Sequence, residues 1–144
     1  MHQDIQCFDL QDRLNLAQSI AKSVIFLHNS GIVHKNISPD VIIVFNKEDD
    51  SDMGVSALVG FEKFRFQDRK TLLRGDKAWE KNLYRHPTRQ GIRPEDAYSM
   101  RHDIYSLGVC LLEIGLWTTF VQHNTFGTST LTSSVMTPGP ELKW

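Results

Sequence analysis

Cysteine is scarce in this chain: Cys7 and Cys110 are its only two. Two thiols so far apart make neither a disulfide framework nor a cysteine-based zinc site, and a reducing compartment is the expected setting. Net charge is nearly absent as well, at -1, so there is no global field to gather nucleic acid or an anionic membrane, and no nucleic-acid partner is expected. Long hydrophobic runs are missing. The longest apolar stretch, "LGVCLLEIGLW" at 107–117, is interrupted by Glu113 and is too short to span a bilayer. The opening "MHQDIQC" has neither the basic region nor the apolar core of an export signal. The expectations are a cytoplasmic or nuclear protein with no membrane association. What is present, 40% hydrophobic and 23% charged residues over 144 positions, suits one globular domain or a piece of a larger one.

Apolar residues recur every three or four positions at Leu10, Leu14, Ala17, Ile20 or Ala21, Val24 and Leu27, which predicts a helix from about Asp9 to Asn29. Asp9 is placed to cap it and Gly31 to stop it. After Pro39, "VIIVF" and "VSALVGF" read as two short strands around the acidic "NKEDDSDMG". That acidic run lacks the Gly and the distal Glu of a calcium loop, so a solvated hairpin turn is expected. No sustained period runs from Glu62 to about Ser99, where an irregular segment with short helical pieces is expected. The helix signal returns in "RHDIYSLGVCLLEIGLW", apolar nearly all round, which predicts burial in the centre of a domain. Residues 121–144 are rich in Ser and Thr and end near Pro-Gly-Pro, the pattern of a loop or disordered tail. The organisation is then an N-terminal extension over 1–8, a domain over 9–120 and a tail over 121–144. The fold class is mainly α with a small antiparallel β element.

The order of these parts, with "FLHNSGIVHKNISPDV", "LVGFEKF", "YRHPT" and "HDIYSLGVCLLEI", resembles the C-terminal lobe of a eukaryotic protein kinase over roughly residues 9–117. "HKNISPDV" aligns with the catalytic loop H-R-D-L-x-x-x-N, Gly60-Phe61 with D-F-G, and Pro87 with A-P-E. "YRHPTRQG" with "DIYSLGVCLLEIGLW" is also similar to kinase-like modules of fungal multidomain proteins linked to incompatibility and innate immunity. The resemblance implies an α+β kinase fold, of which the chain would supply a partial C-lobe. It also implies which chemistry is missing.

Asn36 stands where the family's catalytic Asp steers the substrate hydroxyl, and an amide is no base. Ser38 replaces the lysine that balances the γ-phosphate charge. Val41 and Gly60 stand at the positions of the two magnesium ligands and offer no side-chain oxygen. Because phosphoryl transfer is catalysed almost wholly by positioning and electrostatics, losing all four removes several powers of ten in rate. Other matched residues imply architecture: His34 packed in the hydrophobic spine beside the loop, Asp103 accepting from the loop's backbone amides, Phe61 kept, and Pro87 kept between His86 and Thr88. Glu62 and Asp40 are the carboxylates placed to form a displaced metal site, Glu62 on the same face as Gly60 if the strand continues. His28, His86 and His102 have no metal-set spacing and are expected to be structural or surface residues.

Between Glu62 and Arg93 stand ten Lys or Arg against four acids, so the Lys63–Arg93 segment is either a solvated face or a dock for an acidic or phosphorylated protein partner. The chain contains no G-x-G-x-x-G loop and no V-A-I-K lysine, and the central helix is expected to show apolar surface to water. The leading expectation is a catalytically degenerate, pseudokinase-type binding or scaffold module needing no cofactor. One alternative is a divergent Ser/Thr kinase using ATP and Mg within a longer chain. The other is a truncated fragment without function.

Overall fold

The computed structural model describes residues 8–45, 54–67, 77–123 and 129–131. The acidic turn and the last thirteen residues lie outside them. Two helices dominate the fold. Helix α1 spans Leu10–Asn29 and opens on Asp9, whose carboxylate accepts from the Asp12 N–H. It ends at Ser30, and Gly31 follows at φ +72°, a left-handed position that favours glycine. Its buried residues are Leu16, Ile20 and Val24, four apart on one row. Leu10 and Leu14 were expected on this face but are exposed. Leu14 precedes Leu16 by two positions, about 200° round the helix, so the two rows cannot both face the core.

After α1 come β1 (Ile32–Val33), a 3₁₀ turn over Pro39–Val41, and β2 (Ile42–Val44). Strand β3 (Ser56–Leu58) pairs antiparallel with β2 in the register Ile42–Leu58 and Val44–Ser56. This is the expected hairpin. Strand β4 (Arg65–Phe66) then returns to pair with β1, Ile32 opposite Phe66; two residues per strand leave no alternation to read in the sequence. The segment up to Ser99 contains the short helix α2 (Trp79–Leu83) and a 3₁₀ turn at Pro87–Arg89. Helix α3 covers Met100–Leu116. Residues 121–131, expected to begin a disordered tail, instead carry β5 (Val121–His123) paired antiparallel with β6 (Ser129–Leu131). The chain is thus mainly helical, with three two-stranded antiparallel sheets among the described residues.

The core lies where α1, α3 and the β2–β3 hairpin meet. Leu16, Ile20 and Val24 of α1 pack with Ile37, Val41, Ile42, Leu58, Tyr84, Leu107, Cys110, Ile114 and Val121. Each large aliphatic removed from water here contributes about 1.5–3 kcal/mol. Helix α3 is not buried all round. One side carries His102, Asp103, Ser106, Leu107, Cys110, Glu113 and Ile114, whereas Ile104, Leu112 and Leu116 face outward. Its central position therefore rests on four buried polar side chains as much as on apolar ones. No helix among the described residues is long and apolar enough to cross a membrane.

Candidate functional site

The geometry of the "HKNISPDV" loop is set by Asp103, fully buried on the first turns of α3. Its Oδ2 accepts from the His34 N–H at 2.7 Å and its Oδ1 from the Lys35 N–H at 2.9 Å. His28 Nε2 lies 3.1 Å from the same Oδ2. Two adjacent amides can aim at one carboxylate only if the backbone curls, and Lys35 has φ +68°. Left-handed backbone at a non-glycine residue costs about 1 kcal/mol, less than two charge-assisted hydrogen bonds return.

His34 is also fully buried. Its Nε2 faces the Val59 carbonyl at 2.9 Å and its Nδ1 the Asn36 N–H at 3.3 Å. A carbonyl only accepts and an amide N–H only donates, so the ring is neutral and carries its proton on Nε2. Burial holds its pKa below the usual imidazole range, and the Val59 carbonyl and Asp103 only partly offset this. Phe61 stacks obliquely on His34 with ring centroids 4.8 Å apart. These bonds tie α1, the loop, the end of β3 and α3 together at one point.

The hairpin brings Val41 and Gly60 side by side. The Val59 N–H donates to the Val41 carbonyl at 2.8 Å, extending the β2–β3 ladder by one rung. Gly60 follows at φ +80° and ψ +41°. A β-carbon at Gly60 would stand 2.4 Å from Val41 Cγ1 and 3.7 Å from Asn36 Nδ2. Val41 is buried in the core cluster and Asn36 is half-buried. The space beside Gly60 is therefore filled by hydrocarbon and an amide rather than by carboxylate oxygens. Ser38 precedes the 3₁₀ turn, and its side chain makes no capping bond.

Asp40 and Glu62 are exposed. The strand expected to carry Glu62 onto the face of Gly60 ends at Leu58, and Phe61–Lys63 is a 3₁₀ turn, so strand alternation does not apply there. Among the described residues no three His, Cys, Asp or Glu side chains gather as a metal set. Pro87 opens its 3₁₀ turn on the surface, flanked by His86 and Thr88. Those two neighbours bond each other rather than forming an ion pair.

The basic segment is only partly a surface. Arg65 donates to the carbonyls of Phe66, Gln67 and Tyr98. Arg89, 5% exposed, donates to the Asp96 carbonyl and lies over the Tyr98 ring at 5.4 Å. Irregular backbone leaves carbonyls without ladder partners, those of Tyr98 and Asp96 in part-buried contacts, and the guanidinium fork supplies donors for them. Lys63, Lys77 and Arg93 remain exposed, whereas 68–76 lies outside the described residues. Lys35 sits beside this group. Burial, then Arg65 and Arg89, hold its ammonium below the usual lysine range against the opposing pull of Asp103.

A second polar centre escaped the sequence reading. Glu113, fully buried on α3, accepts at Oε1 from the Tyr84 hydroxyl at 2.9 Å and from the Phe120 N–H at 2.6 Å. Burial pushes its carboxyl above the usual range, and these donors pull partly the other way. The lone acid inside "LLEIGLW" was the available signal, because a charge in an apolar stripe needs a partner.

Comparison with known proteins gives a short likeness to protein kinases. A stretch of 46 residues is 33% identical to calcium/calmodulin-dependent protein kinase type 1 of Caenorhabditis briggsae, and the same holds for the protein of that name from Caenorhabditis elegans. The stretch is 32% of this chain and 13% of each relative, so the match spans about an eighth of their length. No family model matches the chain.

Proposed function

We propose that this chain is a partial protein-kinase-like C-lobe that keeps the frame of a catalytic loop without phosphotransfer and serves as a protein-binding or scaffold module. One observation carries the proposal. The volume in which a metal-binding side chain at position 60 would begin is occupied by Val41, itself at the second such position. The two departures fit one another sterically, as expected of a loop selected for packing rather than for magnesium. Asn36 adds an amide where a base is needed. The bonds of His34 with Asp103 and Val59 and its ring contact with Phe61 support the reading. The short kinase match favours the same class.

The binding role rests on charge. Burial first, and then the neighbouring Arg65, Arg89 and Lys63, disfavour the Lys35 cation, so positive charge gathers around it. Asp103, the acid that acts on Lys35, is already engaged by backbone amides and His28. Exposed Lys63 and half-buried Lys35, backed by the inward Arg65 and Arg89, suit an acidic or phosphorylated segment of a partner protein.

A thermal-shift measurement with ATP, with and without magnesium, tests the loss of chemistry. The expected result is no magnesium-dependent rise in melting temperature. A rise that magnesium enhances, together with phosphate transfer that disappears in Asp40→Ala or Glu62→Ala, would instead establish a divergent kinase.

A further inference from the structure

The outward side of α3 carries Ile104, Tyr105, Leu112 and Leu116, exposed to 51%, 36%, 59% and 54%. With Gly108 and Gly115, which are exposed as well, they fall within about 120° of arc on one face. The core-building row of His102, Asp103, Ser106, Leu107, Cys110, Glu113 and Ile114 lies on the other side. From 104 to 116 the one Asp, Glu, Lys or Arg is Glu113, fully buried, so this outward face carries no formal charge. The two glycines weaken the helix relative to alanine. Nothing inside the chain requires them: a β-carbon at Gly108 or Gly115 would meet no atom of the rest of the described fold within 4 Å.

We propose that this face is a twofold dimer contact, in which α3 of one copy lies antiparallel on α3 of a second copy of the chain. The order of sizes along the face selects a second copy as its occupant. About a twofold at the level of Cys110, the neighbouring helix sets its Leu112 at the level of Gly108 and its Gly108 at the level of Leu112. Tyr105 and Gly115 exchange in the same way. Each bulky side chain near the centre therefore meets a glycine of the other copy, and the open space beside that glycine is filled. Ile104 and Leu116 share the outermost levels on opposite flanks, so they close the rim without colliding. A parallel pairing would instead set Leu112 against Leu112 and Gly108 against Gly108.

Area and charge agree with this occupant. Four large side chains about half exposed make a patch of several hundred Å² on each copy, the size that marks a contact surface. Two such patches face to face come near the total of about 1,000 Å² that a specific association needs, which makes the dimer weak and reversible. No like charges are brought together at its centre, and Arg101 at the edge is already paired with Asp96 of its own chain. The contact needs nothing from the kinase-like reading.

Sedimentation equilibrium of the full chain over a concentration series tests the proposal. A reversible monomer–dimer equilibrium in the micromolar range is expected, and it should persist as salt is raised because no ion pair supports it. Leu112→Glu should weaken association at least tenfold. Gly108→Leu should do the same, yet its melting temperature at dilutions where the parent is monomeric should not fall, since the helix itself gains. In a Cys7→Ser background, Gly108→Cys mixed with Leu112→Cys should form disulfide-linked pairs faster than either variant alone, because those two positions share a level. The proposal is overturned by a chain that stays monomeric up to about 1 mM, which would leave the face to a different partner. It is equally overturned by a dimer that both single variants leave intact, by one that salt disperses, or by cross-linking no faster in the mixture than in its components. Should Gly108→Leu fail to fold, Leu112→Glu and the cross-link decide.

Discussion

Val41 and Gly60 share one space: Val41 Cγ1 lies 2.4 Å from where a β-carbon at Gly60 would stand. Packing of this kind makes each residue a condition for the other.

Gly60→Ala is therefore expected to destabilise the chain by about 2 kcal/mol or more, the sum of left-handed backbone strain and overpacking. Val41→Ala alone should cost about 1–3 kcal/mol through the cavity it leaves. In urea titrations the double variant should be less unstable than the sum of the two, by about 1 kcal/mol. Strict additivity would mean that the two side chains do not compete for the same volume.

Asp103→Asn keeps the shape and removes the charge. One amide oxygen cannot serve the His34 N–H, the Lys35 N–H and His28, and its NH₂ would face a donor. A loss of about 3 kcal/mol in denaturant unfolding is expected, enough to unfold a marginal domain. A change below about 0.5 kcal/mol would show that the loop does not depend on this carboxylate.

Acid should weaken the fold through His34 and His102. Both pKa values lie below the ordinary 6.5 in the folded chain, so below that value the unfolded chain binds more protons and stability falls with pH. The loss begins near pH 6.5 and is complete once pH passes the folded values. Glu113 acts oppositely: its pKa is raised, so the folded chain takes up that proton first and gains stability as pH falls through the folded value towards the unfolded one. Melting curves across pH should show a steeper acid loss in Glu113→Gln than in the parent chain. An unchanged slope would remove Glu113 from the balance.

Tyr84→Phe takes one donor from the buried Glu113 carboxyl, which keeps the Phe120 amide and the Thr119 side chain. A cost of about 1–3 kcal/mol is expected from equilibrium unfolding. The same change made in a Glu113→Leu background should cost less than half as much, since the hydroxyl then has no carboxyl to satisfy.

If the cation set is a dock, binding of a phosphothreonine peptide measured by fluorescence anisotropy should weaken at least tenfold in Lys35→Ala plus Lys63→Ala and should fade as salt is raised. Equal affinity for the unphosphorylated peptide, or for the double variant, would remove the phosphate-docking role.

The sequence by itself determined the elements whose signals are periodic or local. Asp9, the apolar row of α1 and Gly31 mark one helix from end to end, and "VIIVF" with "VSALVGF" marks the two strands of a hairpin. It also placed His34, Phe61 and Asp103 in chain order and showed which side-chain chemistry Asn36, Ser38, Val41 and Gly60 do not carry. Only the tertiary structure decided which apolar row of α1 is buried, that Arg65 and Arg89 turn inward, that 121–123 pairs with 129–131, and that Tyr84 meets Glu113. Those outcomes depend on what stands opposite a residue rather than on its neighbours in sequence. A buried carbonyl in an irregular loop, or a carboxylate on an apolar helix, acquires its partner only when distant segments close around it.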